Sequence, residues 1–411
     1  MLNLDIIRNA QQFLRRENIS GWLVYDYLTT NPVFGKIIIA SGHVTRPRFI
    51  FIPATGTPSL LAHHVDAGKY ASPSSESDSL LQYRLLVYSS RTSLVELLKE
   101  TLSTAPIVAM EYSRFNQLPR VSRVDAGTIE LIQDMGSKVV SSQDLLQYAT
   151  QRWTTAQLES HLATAQKLGN IVNEAFKFIE TRLQKISNIG IKWNPPTEFE
   201  IAEFIRMRFK EEGLESPDGP IVSVNSHCSD PHYEPSSVNS SEIENGDWIL
   251  IDLWARKSGS PDNVYADITW TAYVGDKVPD DKQKVFDIVI SARDIALQYL
   301  KDCHREGKQI QGFQVDEVAR NYIAIEGYGN YFTHRLGHSI SETVHGEAVN
   351  LDNFETHDSR LIIPGIGFSI EPGIYLPDFG VRSEIDAYMS EDGPYATSPV
   401  QSEIVLIKPS L

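Results

Sequence analysis

A lone carboxylate lies in a strongly apolar stretch of this chain, and it limits what the chain can fold into. Asp252 is the one charged residue in the run WILIDLWA, residues 248–255, which is apolar on both faces of a strand. Such a run predicts a buried strand, and burying an isolated charge is costly unless something compensates it. Asp267 poses the same problem in the next apolar run, residues 264–274.

Turn-like segments place the buried acids in pairs. Residues 256–263 contain Lys, Ser, Gly and Pro, which is typical of a hairpin connection, so we expect Asp252 and Asp267 to come together. Glu371 and Glu384 repeat the arrangement on either side of a second segment rich in Pro, Asp and Gly. Four buried carboxylates in one place cannot all ionise without cations, so the two predicted hairpins indicate a cation site.

Histidines lie between the two acidic pairs. The motif HRLGH contains His334 and His338, and His345 follows seven residues later. One imidazole and four carboxylates form a hard ligand set whose four negative charges balance two divalent cations, manganese above all, with cobalt or zinc as alternatives. Two metals roughly 3.5–4 Å apart can bridge a hydroxide and activate it at neutral pH. Each piece alone has a structural explanation (an ion pair, a turn, a structural histidine), and only the complete set predicts chemistry.

Composition excludes several other functions. The chain has 411 residues, a net charge of −16 and 41% hydrophobic residues. An acidic surface repels phosphate backbones, so no nucleic-acid partner is expected. Two cysteines without a ligand-like spacing suit a reducing compartment, and no apolar run approaches a membrane span. The first residues read as an amphipathic helix rather than a signal peptide, so we expect a cytoplasmic protein.

Patterning divides the chain near residue 151. Residues 1–150 alternate helix-like and strand-like segments, which predicts an N-terminal α/β domain. The capping pattern Thr154-x-x-Gln157 then opens a long amphipathic helix, and Thr197-x-x-Glu200 opens a second one. Further helices are expected near residues 280–304 and 314–325, and they alternate with buried strands. The second part, residues 151–411, is therefore predicted to be an α/β or α+β domain.

The order Asp, Asp, His, Glu, Glu resembles that of the pita-bread metallopeptidases, which include aminopeptidase P, prolidase, methionine aminopeptidase and the metal-free creatinase. The motifs that match are IDL (251–253), DIT (267–269), HRLGH (334–338), IEPGIY (370–375) and GVRSE (380–384). This resemblance implies an α+β pita-bread catalytic domain over residues 151–411, behind a creatinase-like α/β domain over residues 1–150. It also implies a homodimer and five metal ligands, namely Asp252, Asp267, His338, Glu371 and Glu384.

The same resemblance implies roles and a reaction. Glu371 is similar to the residue that carries the proton to the leaving nitrogen, and His345 to the one that stabilises the tetrahedral intermediate. His232 and His334 match substrate-pocket histidines, and Arg382 matches a substrate-side arginine that pairs with a nearby charge. The implied activity is that of an Xaa-Pro aminopeptidase acting on peptides with proline in second position. An Xaa-Pro dipeptidase (prolidase), an amidinohydrolase or lyase, and a non-enzymatic binding module are the alternatives.

Three features depart from the family pattern. The segment between Asp252 and Asp267 is longer than usual, which predicts an enlarged first hairpin. Leu253 and Trp254 replace the usual small residue and glycine, and Trp270 stands where arginine is common. These departures alter the expected pocket shape and remove no metal ligand.

Overall fold

The structure is a computed structural model that describes residues 2–70, 83–189 and 194–409, and the side chains of all these residues except 185–189. The chain divides into two compact units, Met1–Arg152 and Trp153–Leu411. Within the described ranges, no helix combines the length and the apolar content that a membrane crossing requires.

The first unit is built on a six-stranded sheet with the order β4-β3-β2-β1-β5-β6. Only β2 runs against the direction of the others among the described strands. The strands are β1 (Gly21–Asp26), β2 (Arg48–Pro53), β3 (Ser59–His63), β4 (Arg84–Tyr88), β5 (Ile107–Met110) and β6 (Lys138–Ser141). The helices are α1 (Leu4–Arg16), α2 (Pro32–Ile37), α3 (His64–Ala67), α4 (Arg91–Leu102), α5 (Ala126–Asp134) and α6 (Gln143–Thr150).

Both faces of this sheet are covered. Along β1, Trp22 and Val24 join one apolar cluster and Leu23 joins another, as the two-residue period of a strand requires. Helix α1 begins at Leu4 because the Asn3 side chain accepts a hydrogen bond from the Ile6 amide, and its apolar side packs into the first of these clusters. The predicted N-terminal α/β architecture is confirmed.

The second unit combines long helices with three sheets. Its helices are α7 (Thr155–Ile189), α8 (Glu198–Glu211), α9 (Asp280–Arg305) and α10 (Gly312–Ile325). Its strands are β7 (Leu214–Glu215), β8 (Ile221–Val224), β9 (Trp248–Lys257), β10 (Ala266–Val274), β11 (Ser339–Ile340), β12 (Gly367–Ile370), β13 (Gly373–Tyr375), β14 (Gly380–Arg382), β15 (Ile385–Ser390), β16 (Gly393–Ala396) and β17 (Val405–Ile407). They form sheets with the orders β17-β10-β9-β7 (with β8 also on β9), β11-β12-β15-β16 and β13-β14.

The helix starts follow the predicted capping patterns. The Thr154 amide donates to Gln157 Oε1 and the Gln157 amide to Thr154 Oγ1, and Thr197 and Glu200 bond in the same reciprocal way. Helix α8 ends at Glu211, and Gly213 follows with a φ of +68°, a conformation that favours glycine. The expected helices near 280–304 and 314–325 are confirmed as α9 and α10.

Strand β9 separates two parts of the core. Ile249, Ile251 and Leu253 face a cluster made with α7 and α8, whereas Trp248 and Leu250 face a cluster made with α9 and α10. Alternation therefore puts Asp252 on the side of Leu250, away from α7 and α8. The site develops on that side of the sheet.

Candidate metal centre

The first predicted hairpin is formed by β9 and β10. The two strands pair antiparallel, with Thr269 opposite Asp252 and Asp267 opposite Trp254. Because side chains alternate, these four residues share one face, and both aspartates are buried. The hairpin brings the first acidic pair together as expected.

The second hairpin is interrupted in the middle. Strands β12 and β15 pair at its base and β13 and β14 at its tip, which leaves Glu371 and Glu384 opposite each other in the gap between the two ladders. Their amides bond elsewhere, Glu371 to the Leu336 carbonyl at 2.8 Å and Glu384 to the Thr269 carbonyl at 3.2 Å. These two bonds join the second hairpin to the histidine motif and to the first hairpin.

The segment that positions His338 requires glycine at the preceding residue. His338 precedes β11, which pairs with β12, and its amide donates to Ser369 Oγ at 3.0 Å. A Cβ atom on the preceding Gly337 would lie 2.0 Å from the Ser369 carbonyl oxygen. Only glycine allows this approach of the two backbones, so the glycine of the HRLGH motif fixes the distance of His338 from the second hairpin.

The five predicted ligand residues line one cavity of about 260 Å³. Asp267, His338 and Glu384 each offer a ligand atom, and these three atoms lie within 4.8 Å of one another. His338 Nε2 is 3.4 Å from Glu371 Oε1 and 3.9 Å from Asp267 Oδ2. Asp252 lies on the first hairpin beside them, on the face that it shares with Asp267.

Buried carboxylate oxygens without partners show that this donor set fits metal ions. Within the described residues, Asp252 Oδ1, Asp267 Oδ1 and Glu384 Oε1 are shielded from solvent and have no hydrogen-bond donor. Such atoms are rare in folded proteins, because each costs its full desolvation free energy. Three such carboxylate oxygens in one cavity are the type of donor that divalent cations bind.

Crowding and burial shift the pKa values of these acids. Burial raises the pKa of Asp267 well above its usual range, and the charges of Glu384 and Asp252 raise it further. Burial likewise raises the pKa of Glu384, with Glu371 as the next cause. Burial raises the pKa of Glu371 to about 7, although Arg382 acts in the opposite direction. Bound cations would reverse these shifts by stabilising the ionised forms.

Arg382 is engaged by three protein groups. Its Nη2 donates to Asp252 Oδ2 at 2.6 Å, its Nε to Thr269 Oγ1 at 3.1 Å and its Nη1 to the Tyr375 hydroxyl at 3.0 Å. Thr269 Oγ1 in turn donates to Glu384 Oε2 at 2.8 Å. These contacts favour the expectation that Arg382 acts as a charge partner of the acids over direct contact with substrate.

The chain of hydrogen bonds from Arg382 continues to His334. Burial, with Arg382 as the next cause, lowers the pKa of His334 to about 3, so the imidazole is neutral at physiological pH. His334 Nδ1 lies 2.7 Å from the Arg335 carbonyl oxygen and therefore carries the proton. Its Nε2 then accepts from the Tyr375 hydroxyl at 2.7 Å. His334 is thus held in one tautomer at the cavity wall.

The remaining predicted residues also reach this cavity. His232 and His345 line it together with His334 and Arg382. The His345 ring meets the His338 ring edge-on, with 4.3 Å between centroids. All nine predicted site residues therefore face one space, and the roles assigned to them stay predictions.

Supporting residues that the motifs did not single out complete the site. Ser369 Oγ accepts from the His338 amide and donates to Glu371 Oε1 at 3.1 Å. Asp386 is fully buried, and its Oδ2 accepts from the Asp267 amide at 2.9 Å. Ser369 and Asp386 each lie two residues from a predicted ligand, so strand alternation was the signal that could have found them.

Comparison with known proteins agrees with this geometry. Residues 163–391, more than half of the chain, match the model of metallopeptidase family M24. The chain is 27% identical over 275 residues to the uncharacterized peptidase YqhT of Bacillus subtilis, covering 66% of this chain and 70% of that protein. It is 32% identical over 211 residues to an Xaa-Pro dipeptidase of Pyrococcus horikoshii, covering 51% of this chain and 55% of that protein.

A solved structure shares the fold over nearly the whole length. Dipeptidase PepE of Mycobacterium ulcerans superposes with a TM-score of 0.69 at 20% identity, covering 98% of this chain and 97% of that one. The predicted combination of an N-terminal α/β domain with an α+β pita-bread domain is thereby confirmed. The chain belongs to metallopeptidase family M24.

Proposed function

We propose that this protein hydrolyses the bond between an N-terminal residue and a following proline, with two divalent metal ions as cofactors. The observation that carries the proposal is the convergence of four carboxylates and His338 on one cavity, with three buried carboxylate oxygens that have no donor among the described residues. We assign the metal ligands as Asp252, Asp267, His338, Glu371 and Glu384. Bound there, the ions would polarise the scissile carbonyl and lower the pKa of water.

We assign two side chains to handle protons and developing charge. Glu371 accepts from Ser369 Oγ at 3.1 Å, which orients its carboxyl group, and it is the residue we assign to carry a proton from water to the leaving nitrogen. His345 lines the same cavity beside His338, and we assign it to donate to the oxygen that becomes negative in the transition state.

The substrate class rests on the relatives. The Pyrococcus horikoshii relative is named an Xaa-Pro dipeptidase, and its match to this chain covers 55% of its own length. The cavity lining also favours a proline in second position. Trp254, Val344 and Ile221 give apolar surface to a cavity whose other lining residues are mostly polar or charged. Aminopeptidase activity, which the sequence motifs favoured, requires room beyond the proline, whereas dipeptidase activity requires recognition of the proline carboxylate.

The experiment is hydrolysis of Xaa-Pro peptides after metal removal and reloading. Protein stripped with a chelator should be inactive, and manganese, which we propose as the native metal, should restore cleavage of Ala-Pro and Ala-Pro-Ala but not of Ala-Ala-Ala. Glu384→Gln should abolish the restoration. Glu391→Gln, a matched change at an exposed position, should not. Absence of metal-dependent Xaa-Pro cleavage in the native protein would refute the proposal.

We further propose a cytoplasmic homodimer with an N-terminal creatinase-like domain over residues 1–150 and a catalytic domain over residues 151–411. Sedimentation velocity at several protein concentrations tests the assembly, since a dimer has twice the 46.2 kDa mass of one chain. Fractionation of the source cells tests the location.

A further inference from the structure

The cavity contains a second arginine whose hydrogen-bonding capacity the protein leaves largely unused. Arg335 precedes Leu336 in the histidine motif, lines the cavity, and has a side chain that is 24% exposed. Within the described residues, its guanidinium donates one hydrogen bond, from Nη1 to Glu355 Oε2 at 3.2 Å. Its Nε has no acceptor there. A guanidinium has five N–H donors, so a ligand in the cavity can be bound without breaking a buried contact.

The contrast with Arg382 shows which arginine is available. Arg382 is almost fully buried and donates to three protein groups, one of them the predicted metal ligand Asp252. Arg335 pairs instead with Glu355, whose side chain is 43% exposed. Exposed ion pairs of this kind contribute little to stability, so exchanging one carboxylate for another at Arg335 is inexpensive.

The position of Glu355 is fixed by its loop. Asp352 is buried, and its carboxylate accepts hydrogen bonds from the amides of Phe354, Glu355 and Thr356 at 2.9 Å each. Glu355 Oε1 also accepts from the Arg335 amide at 3.1 Å. Glu355 therefore holds Arg335 at Nη1, and because Nε is shielded from solvent, Nη2 is the nitrogen left for a ligand.

Two further observations connect Arg335 with the reaction site. Arg335 lines the same cavity as Glu371, the residue assigned to carry the proton. Elsewhere on the wall, Trp254 and Val344 pack on the apolar cluster of Trp153, Val264, Tyr265 and Ile340. The cavity thus combines an apolar surface with one cation that is not committed to a metal ligand.

We propose that Arg335 binds the free carboxylate of a dipeptide substrate and makes this protein selective for Xaa-Pro dipeptides over longer peptides. The inference rests on the proposed Xaa-Pro hydrolysis and adds its substrate class. A planar guanidinium recognises a carboxylate through parallel hydrogen bonds, and only the last residue of a peptide carries a main-chain carboxylate. Glu355 occupies the same guanidinium in the free protein and competes with the substrate.

The test compares three substrates on the metal-loaded protein, namely Ala-Pro, its amide Ala-Pro-NH2, and Ala-Pro-Ala. The native protein should cleave Ala-Pro with a kcat/KM about 10- to 100-fold above that for the amide, the worth of one charge-assisted hydrogen-bonded pair. Arg335→Gln should bring that ratio close to one, because the loss should fall mainly on Ala-Pro and far less on the amide. Cleavage of the amide also shows that the variant is folded.

Matched variants separate charge from geometry. Arg335→Lys keeps the charge without the planar guanidinium and should give an intermediate ratio of kcat/KM for Ala-Pro over its amide. Glu355→Gln should raise this ratio, because it removes the competing carboxylate. Arg305→Gln, at an exposed arginine outside the cavity, should not change it. Equal efficiency of the native protein on Ala-Pro and its amide, or an equal loss on both in Arg335→Gln, overturns the assignment of Arg335 and leaves Xaa-Pro hydrolysis standing. Failure to cleave any of the three substrates overturns both.

Discussion

Substitution of Glu198, an acidic residue of the second unit, is expected to lower the free energy of unfolding. Glu198 occupies the first turn of α8, yet it is fully buried. One oxygen accepts from the Val224 amide at 2.7 Å and from His227 Nδ1 at 2.9 Å, and the other accepts from the Tyr233 hydroxyl and the Ser241 amide at 2.7 Å each. The carboxylate therefore joins the helix to β8 and to the segment that follows it.

The magnitude follows from counting donors. In Glu198→Gln, the amide group has one acceptor oxygen and one NH2 group, so in either orientation the NH2 faces the amide of Val224 or of Ser241. One buried backbone N–H then loses its acceptor, which costs about 1–3 kcal/mol. The hydrogen bonds that remain become weaker, because their acceptor is no longer a charged carboxylate. We expect the free energy of unfolding to fall by about 2–4 kcal/mol. Glu198→Ala should cost more, because both amides lose their acceptor and a cavity forms.

Urea unfolding followed by circular dichroism measures this change. Glu200→Gln is the matched control, since Glu200 lies two residues away and its capping function can be performed by glutamine, so its effect should stay within about 0.5 kcal/mol. The segment that Glu198 holds carries His232 at the cavity wall, so the KM for an Xaa-Pro peptide should also rise in Glu198→Gln. A loss below about 0.5 kcal/mol for Glu198→Gln would show that the four contacts do not act as described.

Three other predictions concern the metal centre and the first unit. Manganese at about 100 times its dissociation constant should raise the melting temperature by about 5–10 °C, and Glu384→Gln should remove most of that increase, as differential scanning fluorimetry can show. Gly337→Ala, whose Cβ would meet the Ser369 carbonyl oxygen, should lower stability by about 1–3 kcal/mol and weaken manganese binding in isothermal titration. Burial raises the pKa of Glu111 to about 7 from 4.5, so its stabilising contribution is complete below pH 4.5 and is lost as the pH rises through 7, about 3 kcal/mol in all. Glu111→Gln should therefore flatten the decline of stability between pH 5 and pH 8 in urea titrations, and an unchanged slope would contradict this account.

The sequence predicted those features that depend on short-range patterns. The capping pairs at Thr154 and Thr197, the end of α8 before Gly213 and the hairpin between Asp252 and Asp267 each follow from residues within one turn or one strand pair. Only the boundaries shifted, since β10 begins at Ala266 rather than at residue 264.

Contacts between distant irregular segments could not be predicted in this way. Glu198 reads as an ordinary acidic residue in the first turn of a helix, and its burial depends on a loop more than 25 residues away folding back over it. Arg335 and Glu355 meet across a segment without regular periodicity, so no pattern relates them. His161 lies fully buried on the α7 side of the core and reaches the Tyr265 carbonyl and the Thr397 hydroxyl. Sequence periodicity identifies which face of an element is buried, but not which distant group forms the hydrogen bonds of a buried polar side chain.

The backbone of the proposed ligand residues explains how the proposed metal site can exist before metal arrives. The amides of Asp267, His338, Glu371 and Glu384 donate to Asp386, Ser369, Leu336 and Thr269, in that order. Each of these bonds ties one ligand segment to another, so the positions of the ligands are fixed by the protein rather than by the ions. The free energy that metal binding supplies is then not needed to form the site, unlike in small domains that fold only around zinc. We therefore expect the metal-free protein to keep its fold, with circular dichroism unchanged by a chelator, while catalysis is lost. Unfolding on metal removal at 25 °C would show instead that the repulsion among the four carboxylates exceeds what these backbone bonds can hold.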